Sequence, residues 1–180
     1  MILYIAVTIL VLALSLWVRP RTAVKTNSVI YSSALSRQDA LSRICLCAIF
    51  ATLFIPEALR VNTGNDYAKY VDFMHNIGIS AYDYVATEFG FNALVKLIYS
   101  ASGFENYLLV FAVFAALTAG LFLLAMRQQA DNFTFTFFLF MMFGYYFQSY
   151  NTVRYYFALA LTVVSIKYLL DRRYGYFVLL

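Results

Sequence analysis

The chain has 180 residues, of which 63% are hydrophobic and 12% are charged, and its net charge is +4. Soluble domains contain roughly 45–50% apolar and about 25% charged residues, so this composition excludes an ordinary soluble domain and indicates an integral membrane protein. In a membrane protein, a small positive excess is typical of cytoplasmic loops and does not point to a nucleic-acid partner.

The first predicted span covers residues 2–18, and basic residues follow it. A secretory signal peptide has its positive charge before the apolar run and small residues at a cleavage site after it, so we predict a retained helix. The next loop, residues 19–43, holds five basic residues and one acidic residue. The positive-inside rule therefore predicts that the basic loop lies in the cytoplasm and that the N-terminus lies outside.

Four further apolar blocks predict spans at residues 44–59, 104–126, 133–150 and 155–170. A helix crosses a bilayer with about 17–25 residues, whereas the last apolar run, from Tyr174, stops after seven. We predict an all-α, polytopic helical bundle with about five full spans and a truncated last span. Residues 1–180 would form a single membrane domain that is the N-terminal part of a longer protein.

The second predicted span contains both cysteines of the chain, Cys45 and Cys47. Two residues apart on a helix, they point to different faces and cannot form a disulfide with each other, so they are interpreted as small apolar residues. The chain has a single histidine and lacks a Cys/His cluster, so we expect neither a metal site nor a cofactor.

Four polar residues recur at every fourth position of the segment 81–102: Glu88, Asn92, Lys96 and Ser100. They share one face of a helix that either crosses the membrane or lies on its outer surface. If the helix crosses, the basic residues divide six to six between the two sides, whereas otherwise nine lie inside and four outside. The positive-inside rule favours the second arrangement, an outer-surface or re-entrant amphipathic helix. Ser80 and Asp83 predict a capping box at its start.

This topology places two polar clusters on the outer side of the membrane. In the first, residues 60–78, Thr63-Gly64-Asn65 predicts a turn in which Asn65 is the N-cap of a helix. In the second, residues 144–161, a group of tyrosines precedes Arg154, which opens an apolar helix. The tyrosines are interpreted either as an interfacial belt or as platforms for sugar rings.

Arg154 has the clearest chemical interpretation in these clusters. An ionised side chain inside an aromatic belt is costly unless it reaches an anion, which would be a lipid phosphate or the phosphate of a bound lipid-linked substrate. A guanidinium suits both through its bidentate fork, and Arg60 allows the same two interpretations. Asp66 is the candidate general base, although an acid that complements the helix dipole explains its position equally well. His75 could be the base instead, or a structural residue.

Three short motifs, in this order and spacing, resemble the EpsG-type family of membrane polysaccharide polymerases, which are related in role to the Wzy O-antigen polymerases. The motifs are Arg60 with GNDY (64–67) and Tyr70, EFGF from Glu88, and NTVR ending at Arg154. The resemblance extends from about residue 25 to about residue 175. Family members have more spans, which implies that this chain is the N-terminal half.

The resemblance implies an enzyme that joins oligosaccharide repeat units, carried on a polyprenyl diphosphate, into an exopolysaccharide, capsule or O-antigen on the outer face of the inner membrane. Arg60 and Arg154 would clamp the diphosphate, and Asp66 would be the base. The expected substrate contacts are Tyr67, Tyr70, His75, Glu88, Asn92 and Asn151. The expected partners are the lipid-linked oligosaccharide, membrane lipid, and a chain-length regulator and a flippase of the same pathway.

Three other interpretations remain open at the level of sequence. A transporter or flippase of lipid-linked saccharide is less favoured, because the polar residues gather at the outer ends of spans rather than near the midplane. A membrane acyltransferase that modifies polysaccharide is less favoured because the chain has one histidine, His75. The third is a non-catalytic assembly subunit.

Overall fold

A computed structural model describes residues 2–19, 37–79 and 87–179. In these ranges the chain is helical and contains no strand, so the predicted all-α class is confirmed. The helices are α1 (Ile2–Ser15), α2 (Arg37–Ala58), α3 (Tyr67–Ile79), α4 (Phe89–Ser102), α5 (Tyr107–Gln129), α6 (Phe133–Met142), α7 (Tyr145–Ser149), α8 (Val153–Leu170) and α9 (Tyr174–Leu179). The predicted capping box at Ser80 and Asp83 lies outside the described residues.

Three of the described helices, α2, α5 and α8, are long and apolar enough to cross a membrane. Helices α1 and α6 are apolar but have only 14 and 10 residues, fewer than the roughly 17 that a span needs. The predicted count of five full spans is therefore not confirmed. The fourth apolar block differs because its helix is interrupted at Gly144, which has a φ of 75° and separates α6 from α7.

Helix α5 is the centre of the bundle and packs against α2 and α8. Small buried residues on these helices, including Ala115, Ala119 and Ala160, allow close approach of the backbones. In a bilayer, such close van der Waals contact replaces the hydrophobic effect as the main source of helix association. Large apolar side chains elsewhere on the spans, such as Ile44 and Ile55, point outward, as expected for surfaces that face lipid.

Helices α3 and α4 form a short pair beside the first turns of α5. Each is amphipathic and buries apolar residues at positions i, i+4 and i+7, as in Phe91, Val95 and Ile98 of α4. The Tyr70 ring lies 6.2 Å from the Phe91 ring, and the buried rows of both helices join one core cluster with α5. With only 14 residues, α4 is too short to cross a membrane.

Contacts between distant segments define two ends of the bundle. At one end, Arg60 after α2 meets Tyr150 after α7, and α8 begins there with Arg154; we call this the Arg154 end. At the other, which we call the Arg19 end, the Arg19 backbone N–H donates a hydrogen bond to Ser42. The two predicted polar clusters therefore lie at the same end of the bundle.

Candidate functional site

Arg60 fastens the end of α2 to the end of α7. Its Nη1 atom donates hydrogen bonds to the carbonyl oxygens of Tyr150, at 2.5 Å, and Ser149, at 3.5 Å. Carbonyl groups at a helix C-terminus lack intrahelical partners, so a cation is favourable there. The side chain is only 5% exposed, and its guanidinium lies over the Phe111 ring. Burial lowers the pKa of Arg60, while Glu57 acts in the opposite direction.

Glu57 completes this contact, and the sequence analysis missed it. Ser149 Oγ donates a hydrogen bond of 2.9 Å to Glu57 Oε1. Nearby, the hydroxyl of Tyr146 donates to the Leu53 carbonyl and shares a 2.6 Å hydrogen bond with Tyr150. The sequence did contain a signal, because Glu57 is an acidic residue inside an apolar span, three residues before Arg60. Buried charges in such segments need specific partners.

Gly64 lies directly against the turn that precedes α8. A Cβ atom on Gly64 would be 2.7 Å from Asn151 Oδ1 and 2.8 Å from the Tyr150 carbonyl oxygen. The Asn65 backbone N–H donates to the same Asn151 side chain at 3.3 Å. The predicted N-cap role of Asn65 is wrong, because α3 begins only at Tyr67 and the residue directly before it is Asp66.

Substituting Gly64 with alanine tests whether this contact holds the site together. Gly64 has a φ of 93°, so Gly64→Ala combines backbone strain with a clash against main-chain atoms, and we expect a loss of about 2–3 kcal/mol in the free energy of unfolding. Gly90→Ala is the matched control, because a Cβ there meets no atom within 4 Å. Thermal unfolding of the purified variants gives the melting temperature of each. Equal melting temperatures for Gly64→Ala and Gly90→Ala would contradict a stabilising contact at Gly64.

A cavity of about 750 Å³ opens between α4, α5 and α8 at the Arg154 end. Polar side chains stand at its mouth: Asp66, Glu88, Thr152 and Arg154. Its deeper walls are apolar and include Leu94, Leu117 and Leu161. From Arg154 to Leu161 the wall follows α8 for about 10 Å, given a rise of about 1.5 Å per residue. The cavity thus joins a charged mouth to an apolar slot that runs along a membrane span.

Arg154 is held at this mouth mainly by aromatic rings. Its guanidinium carbon lies 5.5–5.7 Å from the ring centres of Tyr70, Phe73 and Phe91. Its Nη1 atom also donates a hydrogen bond to Glu88 Oε2. The Arg154 side chain is 27% exposed but that of Glu88 is 69% exposed, and such exposed ion pairs contribute only about 0–1 kcal/mol. An incoming anion could therefore replace the Glu88 carboxylate while the rings keep Arg154 in place.

Two carboxylates accompany Arg154 at the mouth. The pKa of Glu88 lies below its usual value, first because the carboxylate accepts a hydrogen bond from its own backbone N–H, and further because of Arg154. Glu88 is therefore ionised at neutral pH. Asp66 accepts a hydrogen bond of 3.1 Å from Lys69 and is partly exposed. Either carboxylate can accept a proton or a hydrogen bond from a hydroxyl group of a bound molecule.

Four predicted site residues line the cavity: Asp66, Tyr70, Glu88 and Arg154. The other predicted residues lie elsewhere. His75 is 2.9 Å from Glu105, beside the start of α5. Asn92 is hydrogen-bonded to Thr87, and the Tyr67 ring stacks on Phe111. Arg60 and Asn151 hold the adjoining turns in contact.

The apolar part of the cavity also escaped the sequence analysis. On α8 it is formed by Phe157, Ala158 and Leu161, which follow Arg154 at spacings of three, four and seven residues. These spacings place all four residues on one face of the helix. The pattern was visible in the sequence, but in an apolar span it does not distinguish a cavity wall from a surface that faces lipid.

One of the comparisons with known proteins identifies a family for this chain. The model of the EpsG family matches residues 43–180, which is well over half of the chain and includes both polar clusters. No curated protein and no solved structure matches the chain. The family and the apolar helices associate the chain with a membrane and with polysaccharide biosynthesis. The chain belongs to the EpsG family.

Proposed function

We propose that the chain contributes the donor site of a polysaccharide polymerase, which joins oligosaccharide units carried on a polyprenyl diphosphate. The observation that carries the proposal is the cavity between α4, α5 and α8, with a guanidinium and two carboxylates above an apolar slot. A lipid diphosphate has the same division, with an anionic head next to a hydrocarbon tail. The head would bind Arg154, and the first isoprenoid units would lie along α8.

In the proposed reaction, a hydroxyl oxygen of the acceptor sugar attacks the anomeric carbon of the donor. A new glycosidic bond forms and the bond between that carbon and the diphosphate oxygen breaks. The hydroxyl proton passes to Asp66, and polyprenyl diphosphate leaves with the electron pair. Arg154 stabilises the negative charge that develops on the leaving group, which is where a fixed cation lowers the barrier most. Tyr70 and Glu88, which line the same cavity, would contact the sugar next to the diphosphate.

The proposed orientation puts the Arg154 end at the outer face of the bacterial inner membrane and the N-terminus outside. Basic residues gather at the Arg19 end, in agreement with the positive-inside rule. Single cysteines at Lys69 and Arg173, in a background without Cys45 and Cys47, test this orientation. A membrane-impermeant maleimide added to spheroplasts, whose inner membrane is intact, should label the Lys69→Cys variant and leave the Arg173→Cys variant unlabelled. The reverse pattern would refute the outer location.

Reconstitution tests the reaction itself. The full chain in lipid vesicles is incubated with a polyprenyl-diphosphate-linked repeat unit, and the products are separated by length. We expect products of two or more units with release of polyprenyl diphosphate. A flippase would instead move intact single units between leaflets, and an acyltransferase would change their mass by an acyl group. Single units that stay unjoined, with folded protein present, would refute the proposed reaction for this chain.

A further inference from the structure

A second cavity, of about 580 Å³, lies between α2 and α5, away from the candidate site. We call it the α2–α5 groove. Arg43 of α2 and Arg127 of α5 both line it. Arg127 is close to the end of α5, and Arg43 is close to the start of α2, so both arginines lie toward the Arg19 end. Two cations from different helices therefore converge on one groove.

The rest of the groove is apolar and extends toward the middle of the spans. Phe50 lies seven residues after Arg43, and Gly120 lies seven residues before Arg127, so each wall extends about 10 Å from its arginine. Phe50 and Gly120 lie at the same depth along the two helices, because a Cβ atom on Gly120 would be 3.7 Å from the Phe50 ring. Without a side chain, Gly120 allows the Phe50 ring to lie close to the backbone of α5.

We propose that the α2–α5 groove binds an anionic phospholipid of the membrane. Its phosphate would lie between Arg43 and Arg127 at the depth of the headgroups, and one acyl chain would follow the groove past Leu46 toward Gly120. Charge complementarity supports this occupant: basic pockets between spans bind anionic headgroups, and guanidinium groups match phosphate through bidentate hydrogen bonds. A further apolar helix would bring hydrocarbon against the Arg43 guanidinium, whereas a lipid phosphate would bring an anion to it.

Cys47 reports on the occupancy of this groove, because it is exposed and forms part of the wall. The full chain, with Cys45 replaced by alanine, is purified in detergent and treated with N-ethylmaleimide, and the adduct is followed by mass spectrometry. Added phosphatidylglycerol should slow alkylation of Cys47, and phosphatidylcholine at the same concentration should not. Arg43→Gln should raise the half-protecting concentration of phosphatidylglycerol by about fivefold, because one basic residue near an anionic headgroup contributes about 1 kcal/mol.

Arg173→Gln is the matched control, since Arg173 is an exposed cation that does not line the groove. This variant should keep the protection of the parent protein. Equal protection by the two lipids, or equal loss of protection in both arginine variants, would overturn the proposal. Arg127→Gln provides a second test, with the same expected loss.

Discussion

Replacing Arg154 by alanine is expected to remove long glycan chains and to leave single repeat units. Arg154 is the only guanidinium among the residues that line the described cavity, and its contacts with Tyr70, Phe73 and Phe91 hold it there without substrate. Removing a fixed cation from a developing oxyanion lowers the turnover rate by about 100-fold or more. The turnover rate of Arg154→Lys should lie between those of the parent protein and of Arg154→Ala, because lysine keeps the charge but loses the bidentate fork.

Gel analysis of lipid-linked glycans from cells measures this effect, with the amount of each variant in the membrane determined in parallel. Lys96→Ala is the matched control, since Lys96 is an exposed cation on α4 that does not line the cavity. The control should produce the normal distribution of chain lengths. A normal distribution from Arg154→Ala at normal protein level would remove Arg154 from the proposed donor site.

Replacing Arg60 by methionine is expected to give the largest loss of stability, about 3–5 kcal/mol in the free energy of unfolding. The substitution removes the hydrogen bonds to the carbonyls of Ser149 and Tyr150 and leaves Glu57, which is 4% exposed, without its nearby cation. The turn before Arg154 would also lose its anchor to α2. We therefore expect a lower melting temperature and a loss of polymer.

The double variant Glu57→Leu with Arg60→Met tests whether the loss of stability in Arg60→Met comes from leaving Glu57 buried without its cation. It removes both charges together, so it should be less destabilised than the sum of the two single variants. Thermal unfolding in one detergent compares the four proteins. If Arg60→Met alone keeps the melting temperature of the parent protein, the role of Arg60 in joining α2 to α7 is wrong.

The meeting of the two polar clusters was predictable from the sequence. The positive-inside rule and the order of the apolar blocks placed Asn65 and Asn151 on one side, and the structure joins them by a hydrogen bond. The amphipathic helix α4 was also predictable from its polar period, although it begins at Phe89 and the prediction began it near residue 81. The position of Arg154 at the start of α8 was predictable as well. These features depend on periodicity and charge, which a linear sequence carries directly.

The role of Arg60 was not predictable in the same way. Arg60 follows an apolar helix, and Arg154 opens one. In the sequence, the guanidinium of either residue is equally suited to bind a phosphate. The difference depends on which neighbour each guanidinium meets: carbonyl groups of a helix end for Arg60, and aromatic rings beside an open cavity for Arg154. The interruption at Gly144 was also missed, because a glycine inside an apolar block is common in continuous membrane helices.

Photo-crosslinking tests most directly whether the cavity between α4, α5 and α8 holds a lipid-linked donor. A polyprenyl-diphosphate-linked oligosaccharide with a diazirine in its first isoprenoid units is irradiated with the full chain in vesicles, and the labelled peptides are sequenced. We predict labels on Leu94, Leu117 or Leu161, and loss of these labels in Arg154→Ala and in Ala158→Trp, which would fill the slot. Labels spread over the outward faces of α2 and α8, unchanged by either substitution, would contradict a donor site in this cavity.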